Sequence, residues 1–309
     1  MEDKKLSQAQ FDSWAFAAVT PPLIQMSSNA SWLWLALLGL ACILMERLRD
    51  RYCKAKMSRW LCLPGVILMI VVLGELAGVS AESWPRGEGT VAVPLALLAL
   101  AAWSASKGAG AAARVGVVLF IFINMIYILV LVSGAQQLRF EWLRPISGAP
   151  GAGSLLLLLV PLAGRGLPVN GNGGTRRRVW ALAVAVGAVL LTGGILSPDV
   201  ASMEKFAFYE MCRSLELLGV ARRFEALICA AATAGWFSLM ALLLSAICEL
   251  VERAWPGWGR NGVWAAAALA AEWMLCGLHI YGWLLLGVWT VFWVLLPILT
   301  QGIENRKKS

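Results

Sequence analysis

The chain of 309 residues is strongly apolar and weakly charged: 60% of its residues are hydrophobic, 14% are charged, and the mean hydropathy is +0.73. Soluble domains contain about 25% charged residues and about 45 to 50% apolar ones, so the class of soluble globular proteins is excluded. The net charge of +8 does not indicate nucleic acid as a partner, because the basic residues are scattered between apolar runs and form no basic face or arm.

Ten apolar segments, bounded by charges or by Gly and Pro clusters, follow one another along the chain. A hydrocarbon core of about 30 Å needs roughly 20 apolar residues per helix, and a backbone in lipid must satisfy its own hydrogen bonds. The sequence therefore predicts an all-α polytopic membrane protein that forms a single domain over 1–309. The predicted transmembrane helices are 11–29, 31–46, 60–80, 91–106, 112–134, 148–164, 179–197, 224–249, 263–278 and 281–300.

The distribution of Lys and Arg between these segments indicates an orientation. With the amino end placed inside, 19 of the 26 basic residues lie in inside segments and 7 lie in outside segments. Cytoplasmic loops carry such an excess, so both termini are predicted to be cytoplasmic. The amino end reads MEDKKLSQAQFDSW and begins polar, so we expect no cleaved signal peptide.

The first and sixth segments are poor helices. The first contains Pro21 and Pro22, and a proline inside a helix removes a backbone donor and clashes with the preceding turn, so we expect a break in mid-membrane. The sixth opens on GAPGAGS and becomes a good helix only from Leu155 to Leu162, about half a span. Irregular backbone at membrane depth is tolerated only where it is buried in protein or lines a cavity.

These two segments correspond to each other if the chain consists of two halves of five spans. Because five is odd, the halves enter the membrane with opposite topology, which predicts a five-plus-five inverted repeat with broken helices 1 and 6. A matched pair of breaks points to a transporter-type substrate site, whereas each break alone is also explained as a kink. Amides at the start of a half-helix suit a carboxylate. The predicted ligand cradle consists of Thr20, Pro21, Pro22, Gln25, Gly148, Gly151, Gly153 and Ser154.

Three glutamates, Glu75, Glu225 and Glu272, lie within predicted spans or at their edges. An unpaired charge there costs about 2.5 to 3.5 kcal/mol, so each must be paired, protonated or in contact with water. All three are candidates for ion coupling or for a structural role. The structural role is favoured for Glu225, which follows Arg223 at a helix start. For Glu272 both roles stay open.

The sequence offers no catalytic constellation. It contains one histidine, His279, no paired acidic metal motif, no nucleophile elbow and seven cysteines without a CxxC pair. We therefore predict no enzyme activity, no catalytic residue, no cofactor, no metal site and no disulfide framework. His279 is interpreted as a polar anchor at the outer interface. Residues 203–220 are predicted to form an amphipathic helix on the outer surface.

Several stretches together carry a resemblance to a known family. These are LSQAQ with SWLWLALLGL, GELAGVSAESW, ALLALAAWSASKGAGAAARVGVVLFIF, VLLPILTQGIENRKKS and, most distinctively, FAFYEMCRSLELLGVARRFEALICAAATAGWFSL. They resemble the spore-germination permease family, the B subunit of nutrient germinant receptors, a branch of the amino acid, polyamine and organocation transporter superfamily. The matches in the most distinctive stretch are Phe206, Phe208, Tyr209, Glu210, Arg213, Ser214, Arg223, Glu225, Ala226 and Phe237.

The resemblance implies a receptor subunit in the cell membrane or the inner spore membrane. It would sense a small nutrient, an amino acid, and work with receptor A and C subunits in the lipid bilayer, without nucleic acid. An autonomous amino-acid or cation permease of the same fold is the alternative. The chain departs from the family where Thr20-Pro21-Pro22 replaces an expected glycine, where the loop between spans two and three is short, and where span six is shortened. Since alternating access needs both broken helices to hinge, we expect sensing without substantial transport.

Overall fold

The computed structural model describes residues 6–52, 59–82, 91–143, 148–167, 169–170, 175–204, 206–215 and 224–298. These residues form twelve α-helices, one pair of two-residue strands and short 3₁₀ segments at Phe140–Trp142 and Val160–Gly166. The helices are α1 (Gln8–Ser27), α2 (Trp32–Tyr52), α3 (Arg59–Glu82), α4 (Ala92–Ser106), α5 (Ala109–Ala135), α6 (Ala152–Leu159), α7 (Thr175–Leu196), α8 (Pro198–Met203), α9 (Ala207–Ser214), α10 (Phe224–Ala254), α11 (Gly259–Leu275) and α12 (Gly282–Thr290).

Four of these helices are long and apolar enough to cross a membrane. The qualifying stretches belong to α3, α5, α7 and α10. Shorter apolar helices are α4, α6 with the 3₁₀ segment that follows it, and α12, which continues as a π-helical turn over Val291–Leu295. The fold is thus all-α, as predicted, and its apolar helices suit an integral membrane protein.

The helices coincide with the ten apolar segments of the sequence. α1 to α5 cover the first five segments, and α6, α7, α10, α11 and α12 cover the other five, while α8 and α9 lie between α7 and α10. α2 extends to Tyr52, six residues beyond the predicted end at 46. Charged residues end the apolar run there, but they do not end the helix, because Glu and Arg are good helix formers.

α10 forms the centre of the bundle. It packs against α1, α3, α4, α5 and α11, and its side chains from Leu239 to Leu244 are almost completely buried. The outer helices instead expose apolar side chains, as at Leu37 on α2 and Met125 on α5. A helix that is apolar on its outer as well as its inner face is typical of a membrane span.

The predicted break in α1 is wrong. The helix begins with a capping box between Ser7 and Gln10 and runs without interruption through Pro21 and Pro22. Proline fixes φ near a helical value, so the pair removes two hydrogen bonds without forcing the chain out of the helix. α10 packs against this turn with Gly235, where a Cβ would lie only 2.6 Å from Pro21. Close packing against α10 therefore accompanies a helix that stays continuous across the proline pair.

α6 is the half-length helix that the sequence predicts, but it begins earlier than expected. Its eight residues start at Ala152, after Gly151 in an extended conformation, and the chain continues as a 3₁₀ helix from Val160. Pro161 explains this end, because its ring clashes with the carbonyl one turn earlier and it lacks a backbone donor.

The segment between α7 and α10 is not one amphipathic helix. α8 ends at Met203, Glu204 is extended, and α9 begins at Ala207, while residues 216–223 lie outside the described part of the chain. α9 buries Phe208 and Met211 against the bundle. Met203, expected on the apolar face, is 85% exposed, because the helix ends there and a new one begins with a different buried face.

A short strand pair joins two distant parts of the chain. Leu6 and Ser7, immediately before α1, pair in parallel with Val169 and Asn170, between α6 and α7. The start of α1 is therefore tied to the segment that precedes α7.

Candidate functional site

The predicted cradle lies where α1 ends beside the first turn of α6. The Ser154 hydroxyl donates to the carbonyl oxygen of Met26 at 3.3 Å. Gly153 packs against the same residue, since a Cβ there would lie 2.5 Å from the Met26 methyl carbon. The carbonyl of Gly148 accepts from the Ser31 amide at 2.8 Å. Gly148, Gly153 and Ser154 are thus brought to the end of α1.

Gly151 provides the open position of this arrangement. It caps α6 with φ −63° and ψ 159°, and no atom of another described residue lies within 4 Å of the position that a Cβ would take. The first amides of any helix lack acceptors within the helix and form the positive end of its dipole. Space next to such amides is suited to a carboxylate.

Gln25 is fixed from the opposite side by a residue that the sequence did not single out. The indole nitrogen of Trp236, on α10, donates to the Gln25 side-chain oxygen at 2.8 Å. Trp236 is completely buried. A tryptophan in the middle of an apolar span is a detectable signal, because a buried indole N–H needs an acceptor.

The remaining cradle residues, Thr20, Pro21 and Pro22, lie in the tightly packed contact between α1 and α10. All three are buried, and the two prolines meet Gly235. The Thr20 hydroxyl has no hydrogen-bond partner among the described residues. Thr20, Pro21 and Pro22 are therefore held in the contact between α1 and α10, whereas Gly148, Gly153 and Ser154 lie beside the end of α1.

Glu75, predicted to need a partner, has three. Its carboxylate accepts from the Ile280 amide at 2.6 Å and from the Trp273 indole at 3.3 Å, and His279 Nδ1 lies 3.5 Å from its second oxygen. The side chain of Glu75 is 13% exposed and that of His279 is 64% exposed. His279 is therefore more than an interfacial anchor, because it connects Glu75, seven residues before the end of α3, with the turn between α11 and α12.

The two other acids differ from Glu75. Glu225 lies in the first turn of α10, and its side chain is outside the described part of the structure. Glu272 lies on the exposed face of α11. Within the described ranges, no ion pair or side-chain hydrogen bond involves the Glu272 carboxylate.

An ionic cluster joins the start of α1, the last part of α2 and the start of α7. These helix ends lie away from the predicted cradle. Arg178 forms an ion pair with Glu46, which is 5% exposed, and Arg177 donates to the Ala9 carbonyl and to the Ser13 hydroxyl. The sequence analysis counted these arginines only as loop charges. Glu46 at the edge of an apolar run was the available signal, since buried charges are paired.

The groups that the predicted cradle offers are hydrogen-bonding ones: helix amides, a hydroxyl, an amide side chain and an indole. In the described parts of the chain, no group of three or more His, Cys, Asp or Glu side chains is arranged to hold a metal ion. No model of a known protein family matches the chain, and no curated protein matches it either.

Proposed function

We propose that the protein is the membrane subunit of a nutrient receptor, of the spore-germination permease type, built on a transporter-like fold of ten membrane crossings. The nutrient, an amino acid, binds between the end of α1, the start of α6 and Trp236 of α10. The observation that carries the proposal is the repetition of helix packing in the two halves of the chain.

The repeat relates α1 to α5, in order, to α6, α7, α10, α11 and α12. α3 packs on α11 as α10 packs on α4, α1 packs on α5 as α6 packs on α12, and α1 packs on α7 as α6 packs on α2. Helices that the repeat relates to one another also touch, as for α2 with α7, α3 with α10 and α4 with α11. The repeat is incomplete among the described residues: α10 also packs on α1 and on α5, whereas the corresponding pairs, α3 with α6 and α3 with α12, make no comparably extensive contact. This pattern supports two related halves.

Contacts between helix ends support ten alternating crossings. Ser31 bonds to Gly148, Arg139 bonds to Gly194 at 3.1 Å, and Glu75 bonds to Ile280. Each partner lies in a predicted outside segment or in the outer part of a predicted span. The strand pair and the Arg178–Glu46 ion pair join segments predicted to lie inside. A missed or extra span would have placed some of these partners on opposite sides of the membrane.

The ligand is held by its carboxylate and reaches the site from outside. The open space at Gly151 lies next to the first amides of α6, and Ser154 lies in the same first turn. The inner ends of α1, α2 and α7 are closed by the buried ion pair and by the strand pair. A helix start suits a carboxylate, and the carboxylate of an amino acid is the group that we propose it binds.

The protein senses its ligand and does not transport it in substantial amounts. Alternating access requires both discontinuous helices to hinge around the site. α1 is continuous and is packed through Pro21 and Pro22 against Gly235, so one of the two hinges is missing. A ligand need only bias two conformations, and coupling of about 1 to 3 kcal/mol is typical of allosteric proteins. The receptor A and C subunits are then the partners that read the bias.

A valine at Gly151 tests the site without disturbing the packing. The backbone there is extended, which a β-branched residue adopts readily, and the added side chain enters open space. Spores carrying Gly151→Val should insert the protein normally but lose the response to one class of nutrient. Gly287→Val on α12, where an added Cβ also meets nothing within 4 Å, is the matched control and should respond normally. A normal response from Gly151→Val would overturn the proposed binding position.

A strain without the gene tests the function itself. Its spores should ignore one class of nutrient and still germinate with triggers that bypass nutrient receptors. Unchanged germination with every nutrient, combined with reduced uptake of an amino acid or cation by growing cells, would favour the autonomous permease instead.

A further inference from the structure

The turn between α11 and α12 is fixed to the end of α11 by a Schellman motif. The Leu278 amide donates to the Trp273 carbonyl at 3.3 Å, and the Gly277 amide donates to the Met274 carbonyl at 3.1 Å. Gly277 has φ 62°, the left-handed conformation that this motif uses and that glycine adopts without strain. His279 follows two residues later, so hydrogen bonds of the turn set its position relative to α11.

On one side, the turn is attached to α3 through Glu75. The Glu75 carboxylate accepts from the Ile280 amide at 2.6 Å and from the Trp273 indole at 3.3 Å, and its second oxygen lies 3.5 Å from His279 Nδ1. A Cβ at Gly78 would lie 3.9 Å from Cε1 of the same imidazole. Histidine is the side chain whose ordinary charge change falls between pH 5 and 8. A neutral imidazole donates at most a hydrogen bond to the carboxylate, whereas an imidazolium adds an opposite charge, so this contact strengthens as the pH falls.

On the other side, the turn leads directly to the start of α6. α12 begins at Gly282, three residues after His279, and it packs along α6. A Cβ at Gly282 would lie 3.2 Å from the Cβ of Ala152, the first residue of α6, which follows Gly151. The turn and the first residue of α12 therefore connect Glu75 with the open space at Gly151.

We infer that Glu75 and His279 form a pH-dependent clasp, which holds the turn between α11 and α12 on α3 and thereby regulates the ligand site at the start of α6. The inference rests on the proposed function, which identifies the space at Gly151 as that site. In this structure the clasp is formed and the space is open. Protonation of His279 strengthens the clasp and so favours this state, which is also the state that admits a ligand. A fall in pH should therefore favour ligand binding.

The other titratable side chains near the clasp do not oppose this direction. Within the described residues, the elements that meet at the turn carry Glu82 on α3, Glu272 and Cys276 at the end of α11, and Tyr281 before α12, whereas α6 and α12 carry no titratable side chain. The two acids have the same sign as Glu75, so neither repels an imidazolium. His279 is the only histidine of the chain, and one substitution therefore removes all imidazole titration.

Thermal melting of the full-length chain tests the clasp without a ligand. The chain is purified through a tag without histidine and melted in detergent at about pH 5.5 and about pH 7.5, on either side of the ordinary charge change of histidine. A histidine that gains an anionic partner on folding stabilises the fold at low pH, and the gain is lost as the pH rises. Relative to His279→Gln, the unchanged chain should therefore gain about 1 to 4 °C at the lower pH, the range for a largely exposed ion pair.

Two further variants test whether Glu75 is the partner. Glu75→Gln keeps an acceptor for the Ile280 amide and the Trp273 indole but loses the charge, so it should lose the same pH dependence. Glu204→Gln, which removes an exposed acid elsewhere, is the matched control and should keep it.

A fluorophore at the site tests the regulation. Gly151→Cys places an environment-sensitive label in the open space, and Cys276→Ser in the same chain keeps the exposed cysteine of the turn from being labelled. The emission should differ between the two pH values, and His279→Gln in this labelled chain should abolish the difference.

Each arm has a result that would overturn the inference. For the clasp, these results are an equal pH dependence of melting in the unchanged chain and in His279→Gln, a pH dependence that survives Glu75→Gln, and its loss in Glu204→Gln. For the regulation, they are emission at Gly151→Cys that does not respond to pH and a response that survives His279→Gln. None of these measurements uses a nutrient, so failure of the clasp is distinguishable from failure of the proposed function.

Discussion

Replacing Gly235 with alanine adds one methyl group where α10 passes α1. A Cβ at this position lies 2.6 Å from two ring carbons of Pro21 and 3.0 Å from Cδ of Pro22. Carbon atoms normally approach to about 3.5 to 4.0 Å. The proline rings cannot rotate away, so α1 and α10 must separate by roughly 1 Å.

The cost of this separation has two parts. Overpacking of a close contact costs about 1 to 3 kcal/mol. The separation also strains the 2.8 Å hydrogen bond between Trp236 and Gln25, whose complete loss would cost about 0.5 to 1.5 kcal/mol. Since 1 kcal/mol shifts the melting temperature of a large domain by about 2 to 4 °C, we expect Gly235→Ala to melt several degrees lower.

The assay is thermal unfolding of the purified protein in detergent, followed by tryptophan fluorescence. Gly287→Ala is the matched control: it is also a glycine within a helix, but an added Cβ meets no atom within 4 Å. Alanine is favoured over glycine in a helix by about 0.5 to 1 kcal/mol, so this variant should melt at the same temperature or higher. Equal melting temperatures for the two variants would refute the tight packing of α1 on α10.

Three further predictions concern other parts of the structure. Glu46→Gln should destabilise the protein by about 1 to 3 kcal/mol, because it removes the ion-paired carboxylate of the buried Arg178, which keeps only the second acid nearby, Asp12. The exposed Glu204→Gln should have little effect, and similar melting of both variants would contradict the buried ion pair. Trp236→Phe keeps an aromatic ring but removes the hydrogen bond from Trp236 to Gln25 of α1, so the nutrient concentration for half-maximal germination should rise about 2-fold to 13-fold. An unchanged dose–response curve would show that this hydrogen bond does not contribute to ligand binding. Burial raises the pKa of the Cys212 thiol on α9, whereas Cys276 is exposed. A maleimide at pH 8 should therefore modify Cys276 in the folded protein and Cys212 only after unfolding, as measured by mass spectrometry. Equally rapid modification of both cysteines would contradict the packing of α9.

The positions of the helices could be predicted from the sequence, because hydropathy is a property of each segment by itself. The half-length α6 was predicted for the same reason, since Gly151, Gly153 and Pro161 act on their own neighbourhood. The continuity of α1 could not be predicted. It depends on Gly235, more than two hundred residues further along the chain, which allows α10 to pack against the prolines.

The glutamates in the predicted spans also show that contacts between distant parts of the chain could not be predicted from the sequence. The sequence predicted that Glu75 and Glu272 must be paired, protonated or in contact with water, because the cost of a charge in lipid does not depend on the fold. Which partner each one has depends on tertiary structure: Glu75 meets His279 across the turn after α11, whereas Glu272 faces away from the bundle. Trp236 was missed because only the packing of α10 on α1 brings its indole to Gln25.

Side-by-side measurement of ligand binding and uptake tests the central claim most directly. The isolated chain is reconstituted in sealed vesicles under an imposed ion gradient. The radiolabelled ligand is the nutrient that no longer triggers germination of the deletion strain. We predict saturable binding that Gly151→Val abolishes and Gly287→Val retains, without accumulation of the nutrient inside the vesicles. Concentrative uptake by the isolated chain would contradict the receptor function and establish a permease.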